Sequence, residues 1–279
     1  MVSTRGRPWF PSLDGLRCLA IVPIVWHHST TGPRGDALGR GPLGVDLFFA
    51  LSGFLITSLL CHEARTGTIS LGRFWLRRSL RIFPLYYLVL GGFVLNAVLL
   101  REHGPARDHF LRSVPYYATY TSNWFVHGWV DHPVVFAFAW SLAAEEQFYL
   151  LWPPILRAGR GVGLAALAMA SLVALDQAAE RGWLAPLLEE GLGVRVLRSF
   201  ATPIGLGALL ALAAEHPVTR RGLSLVLGAR GSSVVAFALL AVAVVRPWPI
   251  FPTHVVLAAT VGACALRRDH LLAPLLESR

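Results

Sequence analysis

The sequence predicts an all-α polytopic membrane protein, a single bundle of about eight or nine transmembrane helices over residues 1–279. Three observations support this fold class. The residues are 54% hydrophobic and 15% charged, whereas a soluble domain carries about 25% charged residues. Mean hydropathy is +0.55. Long apolar segments recur along the chain and are separated by segments rich in Arg, Gly and Pro.

The charge pattern predicts the orientation in the membrane. The net charge is +9, and all of the basic residues other than histidine are arginines. The most basic stretch, residues 62–81, is expected to be a cytoplasmic loop by the positive-inside rule. The N-terminus, two crossings earlier, would then be cytoplasmic as well. Membrane lipids are expected partners, and the absence of any nucleic-acid-binding motif argues against a nucleic-acid partner.

The apolar segments predict the helices in order. Ser12 and Asp14 are N-cap candidates for the first helix, residues 31–42 are expected to form a loop, and Pro84 is expected in the first turn of the third helix. Residues 113–133 predict an aromatic-rich helix and an interfacial segment. Besides this segment, helices are predicted at residues 14–30, 44–60, 83–100, 136–155, 161–175, 200–214, 223–245 and 255–266.

The first helix carries two ionisable candidates, Arg17 and His28. Eleven helical residues span roughly 16 Å, about half of a ~30 Å hydrocarbon core. Ionisable groups at such depth are costly and indicate function. Arg17 could instead snorkel to the headgroups, and His28 could simply lie near the outer end of the helix. A metal site at His27 and His28 is not expected, because adjacent helical residues project about 100° apart and a third ligand is missing.

Three further sets of polar residues are candidates. Arg77, Arg78 and Arg81 cluster within two helical turns and suit a phosphate-bearing cytoplasmic ligand, although an arginine-rich loop is also an ordinary topology signal. Ser141 and Glu145 share one helix face and would point into the bundle, either for chemistry or as interhelical hydrogen-bond partners. Glu146 lies about 100° around that helix. Asp46 is expected to pair with Arg34, Arg40 or a histidine near His28.

These residues lie in motifs that resemble the acyltransferase family 3 membrane proteins. Members are bacterial enzymes that O-acylate extracytoplasmic polysaccharides, lipopolysaccharide, peptidoglycan or macrolide-type compounds. The run Leu13-Asp14-Gly15-Leu16-Arg17, followed by ten residues and His28, resembles the signature of the family's first helix. Residues 44–56 (GVDLFFALSGFLI), 74–84 (FWLRRSLRIFP) and 140–149 (WSLAAEEQFY) resemble its second helix, basic loop and serine–glutamate segment. The resemblance covers roughly residues 12–155.

The resemblance implies roles for individual residues. His28, rather than His27, would be the catalytic histidine, with Arg17 as its motif partner. Arg77, Arg78 and Arg81 would bind the phosphates of acyl-CoA. Two features depart from the family pattern. Ala143 stands where members usually have a second serine, which leaves Ser141 and Glu145. The chain stops where members continue into a final helix pair, so it is expected to be a truncated gene, a fragment or a short variant.

The predicted function is therefore membrane-embedded O-acyl transfer in the bacterial inner membrane. Acyl-CoA, with acetyl-CoA as first choice, would be the donor and the cosubstrate, without a metal. The acceptor would be a hydroxyl of a cell-envelope saccharide, a lipid or a small metabolite. His28 would act as general base or carry the acyl group, Glu145 would orient it, and Arg17 would stabilise negative charge or bind CoA. The alternatives are a truncated non-catalytic scaffold and a small-molecule transporter.

Overall fold

The computed structural model describes residues 9–29, 42–67, 69–99, 104–126, 136–159, 162–184, 191–246 and 248–278. Within these ranges the chain forms thirteen helices and no strand, which confirms the all-α prediction. The helices are α1 (Pro11–Ser29), α2 (Pro42–Thr66), α3 (Leu71–Leu99), α4 (Pro105–Ala118), α5 (Ser122–Phe125), α6 (Ala139–Ala158), α7 (Val162–Glu180), α8 (Leu192–Arg198), α9 (Thr202–Glu215), α10 (Pro217–Val226), α11 (Ser232–Val245), α12 (Ile250–Ala265) and α13 (Ala273–Leu276).

Three of the described helices are long and apolar enough to cross a membrane. These are α2, α3 and α7, with 25, 29 and 19 residues. At about 1.5 Å per residue, the shortest of them spans roughly 28 Å, close to the ~30 Å of a hydrocarbon core. Helices α9, α11 and α12 are also apolar but shorter. The membrane class predicted from composition is thus confirmed by the lengths of the helices.

The basic stretch 62–81 departs from the prediction of a loop. Helix α2 continues to Thr66 and α3 begins at Leu71, so most of this stretch is helical. Pro84 consequently lies inside α3 rather than in its first turn. The physical reason is that arginine is among the better helix formers. A basic segment that hydropathy assigns to a loop can therefore extend a membrane helix beyond its apolar part.

The start of α1 also differs from the prediction. The helix begins at Pro11, a favoured first position because proline lacks an N–H. Ser12 and Asp14 therefore lie within the first turn, and neither is the N-cap. The hydroxyl of Ser12 instead donates to Glu277 Oε1 at 2.6 Å and lies 3.0 Å from His270 Nε2. The predicted loop 31–42 lies outside the described residues, apart from Pro42 at the start of α2.

The chain divides into two compact units. The first unit comprises residues 1–68, 158–184 and 200–279, and the second comprises residues 69–157 and 185–199. The first unit therefore contains α1, α2, α7 and α9–α13. The second contains α3–α6 and α8. Both units draw on separate parts of the sequence, so neither corresponds to one continuous half of the chain.

The core of the first unit is centred on the crossing of α2 and α9. A Cβ on Gly53 would lie 1.9 Å from the carbonyl oxygen of Ile204, and a Cβ on Gly207 would lie 2.1 Å from that of Ala50. Each glycine therefore lies directly against the other helix's backbone. Small residues permit such close approach, which is how membrane helices commonly associate. Both helices are largely buried in this unit.

The core of the second unit is aromatic. Tyr86 stacks on Tyr120 with ring centroids 4.5 Å apart, and its hydroxyl donates to the carbonyl of Tyr117 at 2.8 Å. Phe136 packs edge-on against Tyr117. The aromatic-rich segment predicted at 113–133 thus forms α4, a tight turn and α5, with residues 127–133 outside the described ranges. The buried hydroxyl of Tyr86 is therefore satisfied by a backbone carbonyl.

Candidate active site

The first helix places Arg17 and His28 near opposite ends. His28 lies in the last turn of α1 and is exposed, and its ring makes an edge contact with that of His27 at 5.3 Å. Arg17 Nη1 lies 2.7 Å from Asp14 Oδ1, with side chains 36% and 67% exposed. Such an exposed pair contributes little stability. The structure therefore places exposed His28 in the last turn of α1 and Arg17 about two turns after its start, while the roles of both residues stay predictions.

The three arginines of α3 divide into two groups. Arg77 and Arg81 are exposed and follow Arg73 at intervals of four residues, so the three share one helix face. Arg78 is half-buried. Its guanidinium lies over the ring of Tyr149, 4.9 Å from the centroid, and 5.9 Å from that of Phe74. Arg78 thus makes cation–π contacts with two aromatic rings, and the joint role of Arg77, Arg78 and Arg81 in binding a phosphate-bearing ligand stays a prediction.

Helix α6 holds Ser141 and Glu145 in separate interactions. The hydroxyl of Ser141 donates to the carbonyl of Phe138 at 3.1 Å. Glu145 Oε1 accepts a hydrogen bond from the hydroxyl of Tyr149, one turn further along. Tyr149 thus links Glu145 to the stacked Arg78. His28 belongs to the first unit and Glu145 to the second, so their pairing stays a prediction.

Glu146 is a candidate that sequence reasoning left aside. Its Oε1 is buried and has no hydrogen-bond partner among the described residues, and the same holds for the Tyr120 hydroxyl. Glu146 lies within electrostatic reach of Arg78, Tyr87 and Tyr120. In the sequence, Glu146 was visible only as the second carboxylate of the Glu-Glu pair. The structure adds that Tyr87 and Tyr120 lie within electrostatic reach of it.

A strained turn positions Tyr120. Its φ is +54°, which is uncommon for a residue with a side chain and is found at functional sites. The side-chain amide of Gln147 on α6 donates to the carbonyl of Tyr120 at 2.8 Å. Gln147 also exchanges hydrogen bonds with Asn123 at 3.0 and 2.9 Å. Two amides therefore hold this turn against α6.

Asp46 has a partner that the sequence did not suggest. Its Oδ2 lies 3.4 Å from His254 Nε2 on α12. The predicted partners Arg34 and Arg40 lie outside the described residues. Within the described ranges, no three His, Cys, Asp or Glu side chains come together in the way that a metal site requires.

The family model of the acyltransferase domain, acyltransferase family 3, matches residues 10–271. The chain belongs to the acyltransferase 3 family. The matched segment contains every candidate residue described above, in both units, so the resemblance of the four motifs is confirmed. As a member of this family, the chain is a membrane protein of the acyltransferase class. No solved structure shows significant similarity to it.

Several curated relatives of this acyltransferase 3 chain carry more detailed names. It is 35% identical to the peptidoglycan O-acetyltransferase OatA of Listeria monocytogenes over 166 residues, 54% of this chain and 25% of the relative. It is 32% identical to the putative peptidoglycan O-acetyltransferase YrhL of Bacillus subtilis over 182 residues, 62% of this chain and 27% of the relative. A putative O-acetyltransferase of Staphylococcus aureus strain COL is 37% identical over 155 residues, 53% of this chain and 25% of the relative. The match thus spans about a quarter of each of these relatives.

Proposed function

We propose that this chain transfers an acetyl group from cytoplasmic acetyl-CoA to a hydroxyl of a cell-envelope saccharide in the bacterial inner membrane, with its N-terminus in the cytoplasm. The observation that carries the proposal is the family match over residues 10–271, which contains the Arg17–His28 motif. Peptidoglycan is named for the relatives in Listeria monocytogenes and Bacillus subtilis. It supplies the acceptor class of the proposal.

The arginine face of α3 supports a polyanionic donor. Arg73, Arg77 and Arg81 are exposed on one face, and eight helical residues extend about 12 Å. Guanidinium groups bind phosphate through paired, charge-assisted hydrogen bonds. CoA carries a pyrophosphate and a ribose phosphate, so a row of exposed guanidiniums at a helix end is suited to hold it. Arg78, stacked on Tyr149, would position Tyr149 and Glu145 instead of binding phosphate.

The proposed chemical step uses His28 as general base. The neutral imidazole takes the proton of the acceptor hydroxyl while its oxygen attacks the thioester carbonyl carbon. The C–O ester bond forms, the C–S bond breaks, and the imidazolium returns the proton to the CoA sulfur. Glu145 would orient and stabilise the imidazolium, and Arg17 would offset negative charge. Because His28 is exposed at the end of α1, an acceptor can reach it without a rearrangement of that helix.

Acetyl transfer by the purified chain in nanodiscs tests this proposal. Radiolabelled acetyl-CoA is the donor and a cell-envelope extract supplies acceptors, with wild type and His28→Ala compared side by side. We expect transfer by wild type and a loss of at least about a hundredfold in His28→Ala, since general bases contribute roughly 10²–10⁴-fold. Full transfer by His28→Ala would show that His28 is not the base.

The donor site has its own matched control. Arg77→Gln/Arg81→Gln should raise the KM for acetyl-CoA by about tenfold or more, because two charge-assisted contacts are lost. Arg220→Gln/Arg221→Gln removes two charges that are also exposed, from α10, and should leave this KM unchanged. Equal effects of both double variants would mean that bulk charge, rather than the α3 face, attracts the donor.

A further inference from the structure

A second polar cluster lies in the first unit, and it is centred on His254 of α12. His254 is 8% exposed, and its Nε2 faces Asp46 Oδ2 at 3.4 Å. Its other ring nitrogen, Nδ1, is buried and has no hydrogen-bond partner among the described residues. A buried polar atom without a partner costs about 1–3 kcal/mol. Such an atom needs an explanation in a helix that is otherwise apolar.

The cluster continues onto α7 and α9. Asp176 is 4% exposed and accepts a hydrogen bond from the hydroxyl of Thr202. Gln177 Nε2 donates to that same hydroxyl at 2.9 Å. His254 lies within electrostatic reach of Asp176. Four helices thus bring two carboxylates, an imidazole, a hydroxyl and an amide together.

Helix directions place this cluster at one end of the first unit. Arg65 and Glu215 pair at the C-terminal ends of α2 and α9, so these helices run in the same direction. Asp46 lies near the start of α2, and Thr202 is the first residue of α9. Helix α7 runs the opposite way, because its late residue Gln177 meets Thr202. The starts of α2, α9 and α12 and the end of α7 therefore lie together.

His28 lies at this same end. A Cβ on Gly44 would fall 2.8 Å from a side-chain atom of Ile24, so the second half of α1 runs beside the start of α2. His28 is one turn beyond Ile24, and Asp46 is two residues beyond Gly44. Arg17 lies towards the other end of α1. The predicted base and the buried cluster thus share one end of the unit.

Aromatic side chains border the cluster. The guanidinium of Arg181 lies 5.4 Å from the ring centroid of Trp183 and 5.8 Å from that of Phe251. Arg181 Nη1 also donates to the carbonyl of Gln177 at 3.1 Å, which ties this border to the cluster. Trp183 is 69% exposed, so most of its ring faces outward.

We infer that this end of the first unit is a subsite for a hydroxyl-rich saccharide acceptor. Asp46 would accept from sugar hydroxyls, His254 Nδ1 would accept another, and the Trp183 ring would stack on an apolar sugar face. A carboxylate beside Nε2 favours the tautomer protonated there, which leaves Nδ1 as an acceptor. Acceptor-only carboxylates with an exposed indole suit sugars better than acyl chains, which offer no hydroxyls. The inference rests on the proposed function, and it assigns the saccharide acceptor of that proposal to named residues at one end of the first unit.

Direct binding tests this subsite separately from acetyl transfer. The full chain in nanodiscs is incubated with a tritium-labelled N-acetylglucosamine tetrasaccharide and no acetyl-CoA. We expect wild type to bind it and Trp183→Ala to bind about tenfold more weakly, through loss of the stacking surface. Asp46→Asn should weaken binding similarly, because it removes a charged acceptor. Acetyl-CoA consumption, measured on separate samples, reports on the proposed function alone.

Trp9→Ala is the matched control. Trp9 is also exposed, at 53%, but it precedes α1 at the other end of the unit. Tetrasaccharide binding by the Trp9→Ala chain should stay within about twofold of wild type. Absence of binding by wild type, or equal binding by all four chains, overturns the subsite. Loss of nanodisc retention with Trp183→Ala would make Trp183 a membrane anchor and would also overturn it. Should Asp46→Asn fail to fold, Trp183→Ala decides, because its side chain is exposed.

Discussion

The crossing of α2 and α9 makes a quantitative prediction for Gly53→Ala. The new Cβ would lie 1.9 Å from the carbonyl oxygen of Ile204, whereas ordinary contacts begin at 3.4 Å. The difference, 3.4 − 1.9, requires the two backbones to separate by about 1.5 Å. Overpacking of this kind costs about 1–3 kcal/mol. Alanine returns up to about 1 kcal/mol through its higher helix propensity, so the net effect is a loss of stability.

Gly92→Ala isolates the packing cost. Gly92 is also helical, but a Cβ there would meet nothing within 4 Å. Both substitutions gain the same helix propensity, so the difference between the two variants is the overpacking cost of about 1–3 kcal/mol. The assay is the apparent unfolding midpoint in one detergent at one heating rate. We expect Gly53→Ala to unfold several degrees below Gly92→Ala, at roughly 2–4 °C per kcal/mol.

A double variant provides a sharper test of the same contact. A Cβ on Gly207 would lie 2.1 Å from the carbonyl of Ala50, at the same crossing. Once Gly53→Ala has separated the helices, Gly207→Ala finds part of the space already open. The combined loss should therefore be less than the sum of the two single losses. Additive losses, or a Gly53→Ala chain as stable as Gly92→Ala, would refute the close crossing.

The contact between α13 and α1 yields the remaining predictions. Ser12→Ala removes the hydroxyl that joins Glu277 and His270 and should destabilise this contact by about 1–3 kcal/mol. Limited proteolysis should then cut near α13 more readily than in Ser278→Ala, whose hydroxyl bonds only within its own turn. Burial lowers the pKa of His270 from 6.5, against the raising effects of Glu277 and Asp269. The folded contact thus favours the neutral ring, is fully stable above about pH 6.5 and weakens as the pH falls below it. The protection of α13 amides from hydrogen exchange, corrected for the intrinsic exchange rate at each pH, should fall towards pH 5 in wild type, and an equal fall in His270→Gln would exclude this histidine as the cause.

The fold class could be predicted from the sequence, because the prediction depends only on short segments of the chain. Runs of apolar residues specify membrane helices wherever the rest of the chain lies. The distance along the helix axis between Arg17 and His28 likewise depends only on their spacing in the sequence, and not on how the helix packs. Where the many arginines of residues 62–81 predicted a loop, the helical propensity of arginine prevailed, and α3 begins at Leu71.

The partners of individual side chains were not predictable in this way. Periodicity gives the face of a helix that a residue occupies, but not the helix that meets it. Arg77 and Arg78 are neighbours in sequence, yet only Arg78 stacks on Tyr149. Asp46 was expected to pair with an arginine of the adjacent loop or a histidine near His28, and it meets His254 on α12.

By itself, the sequence determined an all-α membrane chain of the acyltransferase 3 family, with His28 as its first candidate residue. Helix lengths, apolar content and motif spacing are properties of short segments, and they need no knowledge of the packing. Only the tertiary structure revealed that a carboxylate oxygen of Glu146 and a ring nitrogen of His254 have no hydrogen-bond partner within the described ranges. Whether a buried polar atom has a partner depends on side chains from other helices. That is decided when the helices pack, since burial and long-range contacts form together.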